Sequence, residues 1–210
     1  MSLDMPPKSQ VGQPAWELAT LFPLQGEWSE HKYLSLDTNR LVELNCGMLE
    51  VLPMPTELHQ LIAQFLYRRL FGLEAGAEGV GGPLGLTLVA PFRVRLPSGK
   101  FRQPDVMFML RANRARRHNQ FWEGADLVIE VVSDDDPDRD LVTKRSEYAQ
   151  ANISEYWIVD PRHRSVAVLT LDAGSNVYRE VGSYADGQIA RSVLLGGFFV
   201  TISELFDQAQ

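Results

Sequence analysis

The spacing of apolar residues changes several times along this chain, and each change marks an element. Leu58, Leu61, Ile62, Phe65, Leu66 and Leu70 recur three and four residues apart, which predicts a helix from about Glu57 to Leu73, ended by the glycines from Gly76 to Gly85. Upstream, Ser29 is placed to cap a short helix through Tyr33 and Leu36, although Lys32 stands where a capping box would carry Glu or Gln. Leu41-Val42-Glu43-Leu44 and Met48-Leu49-Glu50-Val51-Leu52 flank Asn45-Cys46-Gly47 and predict a tight hairpin with glycine in the turn.

The middle of the chain is β-rich. Leu86 to Leu96 and Phe101 to Leu110 are separated by Pro97-Ser98-Gly99-Lys100, a turn sequence, and should pair antiparallel. Leu127 to Ser133 forms the next strand, and Asp134-Asp135-Asp136-Pro137 ends it and opens a helix running to about Asn152. The acidic run lacks the glycine and terminal glutamate of a calcium loop, so helix capping accounts for it. Glu155 to Val159 returns to the sheet, and the remainder reads as hairpins that close with a short helix, Ile202 to Phe206. This order predicts an α/β fold with a mixed central β-sheet flanked by helices and additional N- and C-terminal β-hairpins. Residues 1–15 carry Pro6, Pro7, Gly12 and Pro14 with few large apolar groups and read as a flexible arm, leaving 16–210 as one domain.

Composition adds bounds. With 210 residues, 45% hydrophobic and 22% charged, the chain has the makeup of a soluble globular protein large enough to bury a sizeable core. No apolar run approaches the roughly 18 residues of a membrane span, and Met1-Ser2-Leu3-Asp4 lacks the start of a signal peptide, so a cytoplasmic protein with no membrane partner is expected. The single cysteine, Cys46, has no partner within the chain for a disulfide and reads as a passenger at the hairpin. A net charge of −7 argues against coating nucleic acid by charge alone. The one basic stretch, Arg111 to His118, reads either as a local patch serving an enzyme or as a solvated loop, and taken alone the loop is the better account.

Candidate chemistry begins with Glu130. On its strand Leu127, Ile129 and Val131 alternate with Val128, Glu130 and Val132, so both faces are apolar, the strand is central, and Glu130 loses water on folding. A buried carboxylate persists when a cation or several donors replace its hydration. Lys144 shares a helix face with Leu141, Tyr148 and Ala151, while Arg139, Arg145 and Glu147 lie elsewhere; folding back over the sheet brings Lys144 toward Glu130. The competing reading is an exposed pair with Asp140, worth about 0.3–0.5 kcal/mol. Asp105 follows Pro104, which marks a strand start or bulge, and is expected on one strand face with Met107 and Met109. Two carboxylates on neighbouring strands are oxygen donors suited to Mg²⁺.

These segments together resemble the Uma-two family of restriction-endonuclease-like proteins, in the PD-(D/E)XK nuclease superfamily. The resemblance runs from Trp28-Ser29-Glu30 to Glu204-Leu205-Phe206. Its carriers are Leu41 to Leu44 with Gly47, Pro53 to Gln60, Arg102-Gln103-Pro104-Asp105, Asp126 to Ser133, Asp140 with Lys144 and Tyr148, and Glu155 to Pro161. It implies a restriction-endonuclease-like core with Asp105 and Glu130 as metal ligands. Where the superfamily places a lysine two residues after the second acid, this chain has Val132, so Lys144 would be a relocated catalytic lysine. His59 falls where an auxiliary residue is often added, Tyr148 is a further auxiliary candidate beside Lys144, and Glu43 and Glu57 are weaker ones. The implied activity is Mg²⁺-dependent DNA endonuclease action, with Mn²⁺ as a substitute. The alternatives are a non-catalytic binding or assembly module on the same fold and action on RNA. A homodimer is expected, since restriction-type cleavage commonly uses two copies of a site.

Overall fold

The computed structural model describes residues 23–38, 40–74 and 84–207. The expected arm over residues 1–15 lies outside them. Helix α1 (Glu30–Leu34) starts as foreseen, with the Ser29 hydroxyl accepting from the Lys32 N–H at 3.2 Å. Strands β1 (Val42–Asn45) and β2 (Met48–Val51) form the hairpin, with Asn45 opposite Met48. Both turn residues have positive φ, Cys46 at 48° and Gly47 at 84°, the pattern of a type I′ turn. A Cβ at Gly47 would lie 2.5 Å from the Gly26 carbonyl oxygen, so close approach as well as φ requires glycine here.

Helix α2 spans Glu57–Glu74, and the Thr56 hydroxyl accepts from the His59 N–H at its start. Its inner face, Ile62, Leu66 and Leu70, is fully buried, and each such side chain contributes about 1.5–3 kcal/mol on leaving water. No helix among the described residues is long and apolar enough to cross a membrane.

The long hairpin predicted from Leu86 to Leu110 is real but broken on both arms. One arm is β3 (Gly85–Val89) followed by β4 (Arg93–Leu96), and the other is β5 (Lys100–Arg102) followed by β6 (Val106–Leu110). β3 pairs with β6 and β4 with β5, both antiparallel, yet the two pairs belong to different sheets. Pro91 sits at one break and Pro104 at the other, and neither residue can donate to a ladder.

The remaining elements are β7 (Phe121–Glu123), β8 (Leu127–Val131), a wide π-helical segment (Arg139–Lys144) running into α3 (Arg145–Gln150), β9 (Glu155–Asp160), β10 (Ser165–Thr170), β11 (Arg179–Tyr184), β12 (Ile189–Arg191), β13 (Phe199–Thr201) and α4 (Ile202–Phe206). The expected mixed α/β fold is present, with a six-stranded sheet ordered β11-β10-β9-β8-β6-β3, a second, five-stranded sheet ordered β2-β1-β5-β4-β7 that takes in the N-terminal hairpin, and β12 and β13 as a separate ribbon. Both are mixed, since β8–β9 and β4–β7 are parallel. The π-segment and α3 form the crossover between β8 and β9.

β8 is buried along its whole length, and its alternation divides the core as expected. Leu127, Ile129 and Val131 pack with α2 and with Leu205 and Phe206 of α4, whereas Val128 and Val132 pack with Met107, Met109, Tyr148 and Ala149. Glu130 therefore points to the α3 side, into an otherwise apolar layer.

Candidate active site

The break between β5 and β6 creates the site. β6 pairs with β8 only from Val106, opposite Ile129, because the ladder cannot continue through Pro104. The Val131 N–H just past this end is taken by a side chain: it donates to Asp105 Oδ2 at 2.8 Å. In return the Asp105 N–H faces Glu130 Oε2 at 3.4 Å. Asp105 thus precedes β6 instead of sharing a strand face with Met107 and Met109, as its sequence spacing suggested. The same carboxylate also meets His59 Nε2 of α2, at 3.2 Å.

Glu130 is 2% exposed, and its Oε1 receives the Tyr148 hydroxyl at 2.5 Å and the Lys144 ammonium at 3.0 Å. Lys144, 5% exposed, also reaches Asp140 Oδ1 at 3.0 Å. The two readings of Lys144 are therefore both realised, except that the Asp140 pair is buried. The π-helical turn puts the two side chains about one turn apart on the inward side, and π-turns of this kind recur at functional sites. The Tyr156 hydroxyl of β9 donates to the Asp140 carbonyl at 2.9 Å and holds the widened turn against the sheet. Tyr148, packed edge-on to Tyr156 with ring centres 5.2 Å apart, completes the wall behind Glu130.

Charge balance follows from this geometry. Three carboxylates, Asp105, Glu130 and Asp140, surround one ammonium and one imidazole. Burial raises the Glu130 carboxyl well above its usual range; Lys144 opposes this, and Asp105 and Asp140 add to it. Asp140 is raised by burial too, against the pull of Lys144. For Lys144, burial works against the charge, but Glu130 and Asp140 outweigh it and hold the ammonium well above the usual lysine value. His59 likewise titrates above its usual value: burial lowers it, and the Asp105 carboxylate more than compensates.

The cluster opens into a hollow of about 490 Å³, whose opposite wall is made by Pro53, Met54, Pro55 and Pro91. Among the described residues no group of three or more His, Cys, Asp or Glu side chains is arranged to hold a metal ion. Glu130 Oε1 is committed to Tyr148 and Lys144 and Oε2 faces the Asp105 N–H, while both carboxylates line the hollow. Two hard oxygen donors in a pocket with surplus negative charge fit a cation such as Mg²⁺, which keeps most of its waters and uses one or two carboxylates.

Other candidates fall away from the pocket. In the Arg111–His118 stretch, Arg116 and Asn113 bind Asp126, while Arg117 reaches the Met109 carbonyl at 3.1 Å and lies over Trp122. Asp126 stands at the other end of β8, four residues or about 13 Å from Glu130. The basic stretch is therefore a structural cap and not a patch at this site. Glu43 is buried in an ion pair with Arg102, and Glu57 is exposed in the first turn of α2. Glu147, expected off the packed side of its helix, is buried against Arg102 because the five-stranded sheet covers that flank of α3. Asp140 is the site residue that sequence reasoning undervalued, although its spacing of four from Lys144 was the available signal.

Comparison with known proteins agrees with this architecture. The family model Uma2, described as "Putative restriction endonuclease", matches residues 28–203. A search of curated proteins returns no match. Among solved structures, a "putative nuclease belonging to DUF820" from Anabaena variabilis aligns with a TM-score of 0.70 at 15% identity, covering 87% of this chain and 99% of that one. At that identity the likeness is one of fold.

Proposed function

Because this chain belongs to the Uma2 family, we propose that it is a nuclease that hydrolyses phosphodiester bonds in DNA with a divalent cation, Mg²⁺ or Mn²⁺, held by Asp105 and Glu130. The observation that carries this reading is that Asp105 and Glu130 line one hollow at the end of β6, with Lys144 seated on Glu130. A bound cation would supply Lewis acidity to the scissile phosphate and lower the pKa of an attacking water.

The chain's own groups have separable tasks. Lys144, ion-paired with Glu130 and Asp140 at 3.0 Å each, would orient a water or meet a phosphate oxygen. Tyr148 fixes the Glu130 rotamer through Oε1, which keeps Oε2 turned toward Asp105. His59 and the Val131 N–H both hold Asp105 Oδ2 and so orient that carboxylate. Two copies of the chain would present one such site to each strand of a duplex, and light scattering at micromolar concentration should give a dimer mass.

The test is cleavage of a mixed pool of duplex DNA, single-stranded DNA and RNA by wild type and Asp105→Ala in parallel, with and without Mg²⁺ or Mn²⁺. Metal-dependent cleavage by wild type alone supports the reading. Equal activity in both proteins removes it, and DNA binding with no cleavage under any metal points to a non-catalytic binding module.

A further inference from the structure

A second ionic cluster lies behind the pocket, and the chemistry above makes no use of it. Arg102, the last residue of β5, is 1% exposed and meets carboxylates from three other elements. Its Nε and Nη2 reach the two oxygens of Glu147 on α3 at 2.8 and 2.9 Å, and its Nη1 reaches Glu43 of β1 at 2.9 Å and Glu50 of β2 at 2.5 Å. The three carboxylates have further donors. Glu43 Oε1 takes the Gln103 N–H at 2.7 Å, Glu147 Oε1 takes Lys100 Nζ at 2.8 Å, and Glu50 Oε1 takes Asn45 Nδ2 at 2.6 Å.

Apolar residues of similar volume would generally stabilise such a position as well as buried ions do, so stability alone is a weak reason for the cluster. A planar guanidinium with a bidentate partner does something apolar packing does not: it fixes direction and distance between two elements. The two elements joined here are the ones the site depends on. Arg102 lies three residues before Asp105, and Glu147 lies three residues after Lys144 and next to Tyr148. Between Arg102 and Asp105 the chain leaves one sheet for the other, so the regular ladder does not carry the position of β5 across to β6. Charge agrees with the geometry: against opposing burial, Arg102 holds the Glu147 carboxyl below its usual range.

We propose that Arg102 is a positioning residue: by clamping Glu147 to the five-stranded sheet, it sets α3 so that Lys144 and Tyr148 seat on Glu130 opposite Asp105. The kinetic consequence rests on the nuclease reading, whereas the mechanical one does not. Removing Arg102 would leave Glu43 buried without its cation, so the test uses Glu147→Gln and Glu147→Ala, in which Arg102 keeps Glu43 and Glu50.

Two measurements are made on the full chain: amide hydrogen exchange of residues 139–150, and metal-dependent cleavage kinetics. The expected result is exchange about tenfold faster over 139–150 in Glu147→Ala, with 127–131 and 155–160 as in wild type. With it, kcat should fall by up to about 10²-fold at unchanged KM, because the misplaced group is a reacting-centre group. Glu147→Gln, which still accepts hydrogen bonds, should recover most of both effects. Wild-type exchange over 139–150 in Glu147→Ala overturns the clamp, as does faster exchange with unchanged kcat in an active enzyme. A wild type that cleaves nothing removes the nuclease reading and leaves exchange alone to decide the clamp. Should Glu147→Ala fail to fold, Glu147→Met, which fills the same space without an acceptor, is read by the same two outcomes.

Discussion

Asp105 and Glu130 cross at the end of the β6–β8 ladder: the Asp105 carboxylate takes the Val131 N–H at 2.8 Å, while the Glu130 carboxylate faces the Asp105 N–H at 3.4 Å. Two acids that would repel in the absence of a cation are thereby tied to the same pair of main-chain segments.

Asp105→Asn separates a metal ligand from a scaffold residue. The amide oxygen can still accept from Val131, and one negative charge leaves the pocket, so the metal-free melting temperature should hold or rise. The increase in melting temperature that Mg²⁺ or Mn²⁺ gives wild type by binding the native state should vanish. Calorimetry on both proteins, with and without metal, checks this. A variant melting several degrees lower without metal, beside a wild type that metal does not shift, would make Asp105 structural.

The stability of the metal-free protein carries a signature of Glu130. Its folded-state pKa is raised above the usual 4.5, chiefly by burial, so the unfolded chain releases this proton first as pH rises. The contribution is full below pH 4.5 and is lost as pH climbs through the raised folded value. Glu147 and Glu50 are lowered and act in the opposite sense, their contributions fading as pH falls. The difference in unfolding free energy between wild type and Glu130→Gln isolates the Glu130 part: wild type should lose ground to the variant from pH 4.5 upward. A difference independent of pH over that range would contradict the burial argument.

Lys144→Met leaves Glu130 and Asp140 buried without their shared cation. Breaking a buried pair from one side costs about 3–5 kcal/mol while the remaining charges are ionised. Protonation relieves part of this, so urea denaturation should show a smaller deficit at pH 5 than at pH 8. Cleavage should be lost at both.

Asp126→Ala is the matching control at the other end of β8. Asp126 accepts from the Leu110 N–H at 2.7 Å and from Asn113 at 2.9 Å, and it pairs with Arg116. Its removal should lower stability by about 1–3 kcal/mol through these stranded donors. The metal-induced rise in melting temperature should persist at temperatures where the variant is folded.

The sequence by itself determined those features that depend on local chemistry. The period of Leu58 to Leu70 places α2, Cys46-Gly47 places the hairpin turn, and the unbroken apolar alternation around Glu130 makes β8 central and puts its carboxylate on the face shared with Val128 and Val132. The segments quoted for the family resemblance were legible for the same reason, since short ordered motifs survive in the linear chain. Only the tertiary structure decided what those residues face. Pro91 and Pro104 announce two interruptions, but that the interruptions coincide, and turn one hairpin into a bridge between two sheets, depends on pairing across the chain. Arg111 to His118 looked like a patch beside the first acidic strand, yet sequence proximity does not specify which end of β8 it covers. Helical periodicity puts Glu147 off the face of Lys144 and Tyr148 because it describes a helix with one packed side, whereas α3 is packed on two. Asp140 and Lys144 advertise an i, i+4 pair on any helix; burial beneath the sheet turns that ordinary surface pair into part of a charged pocket.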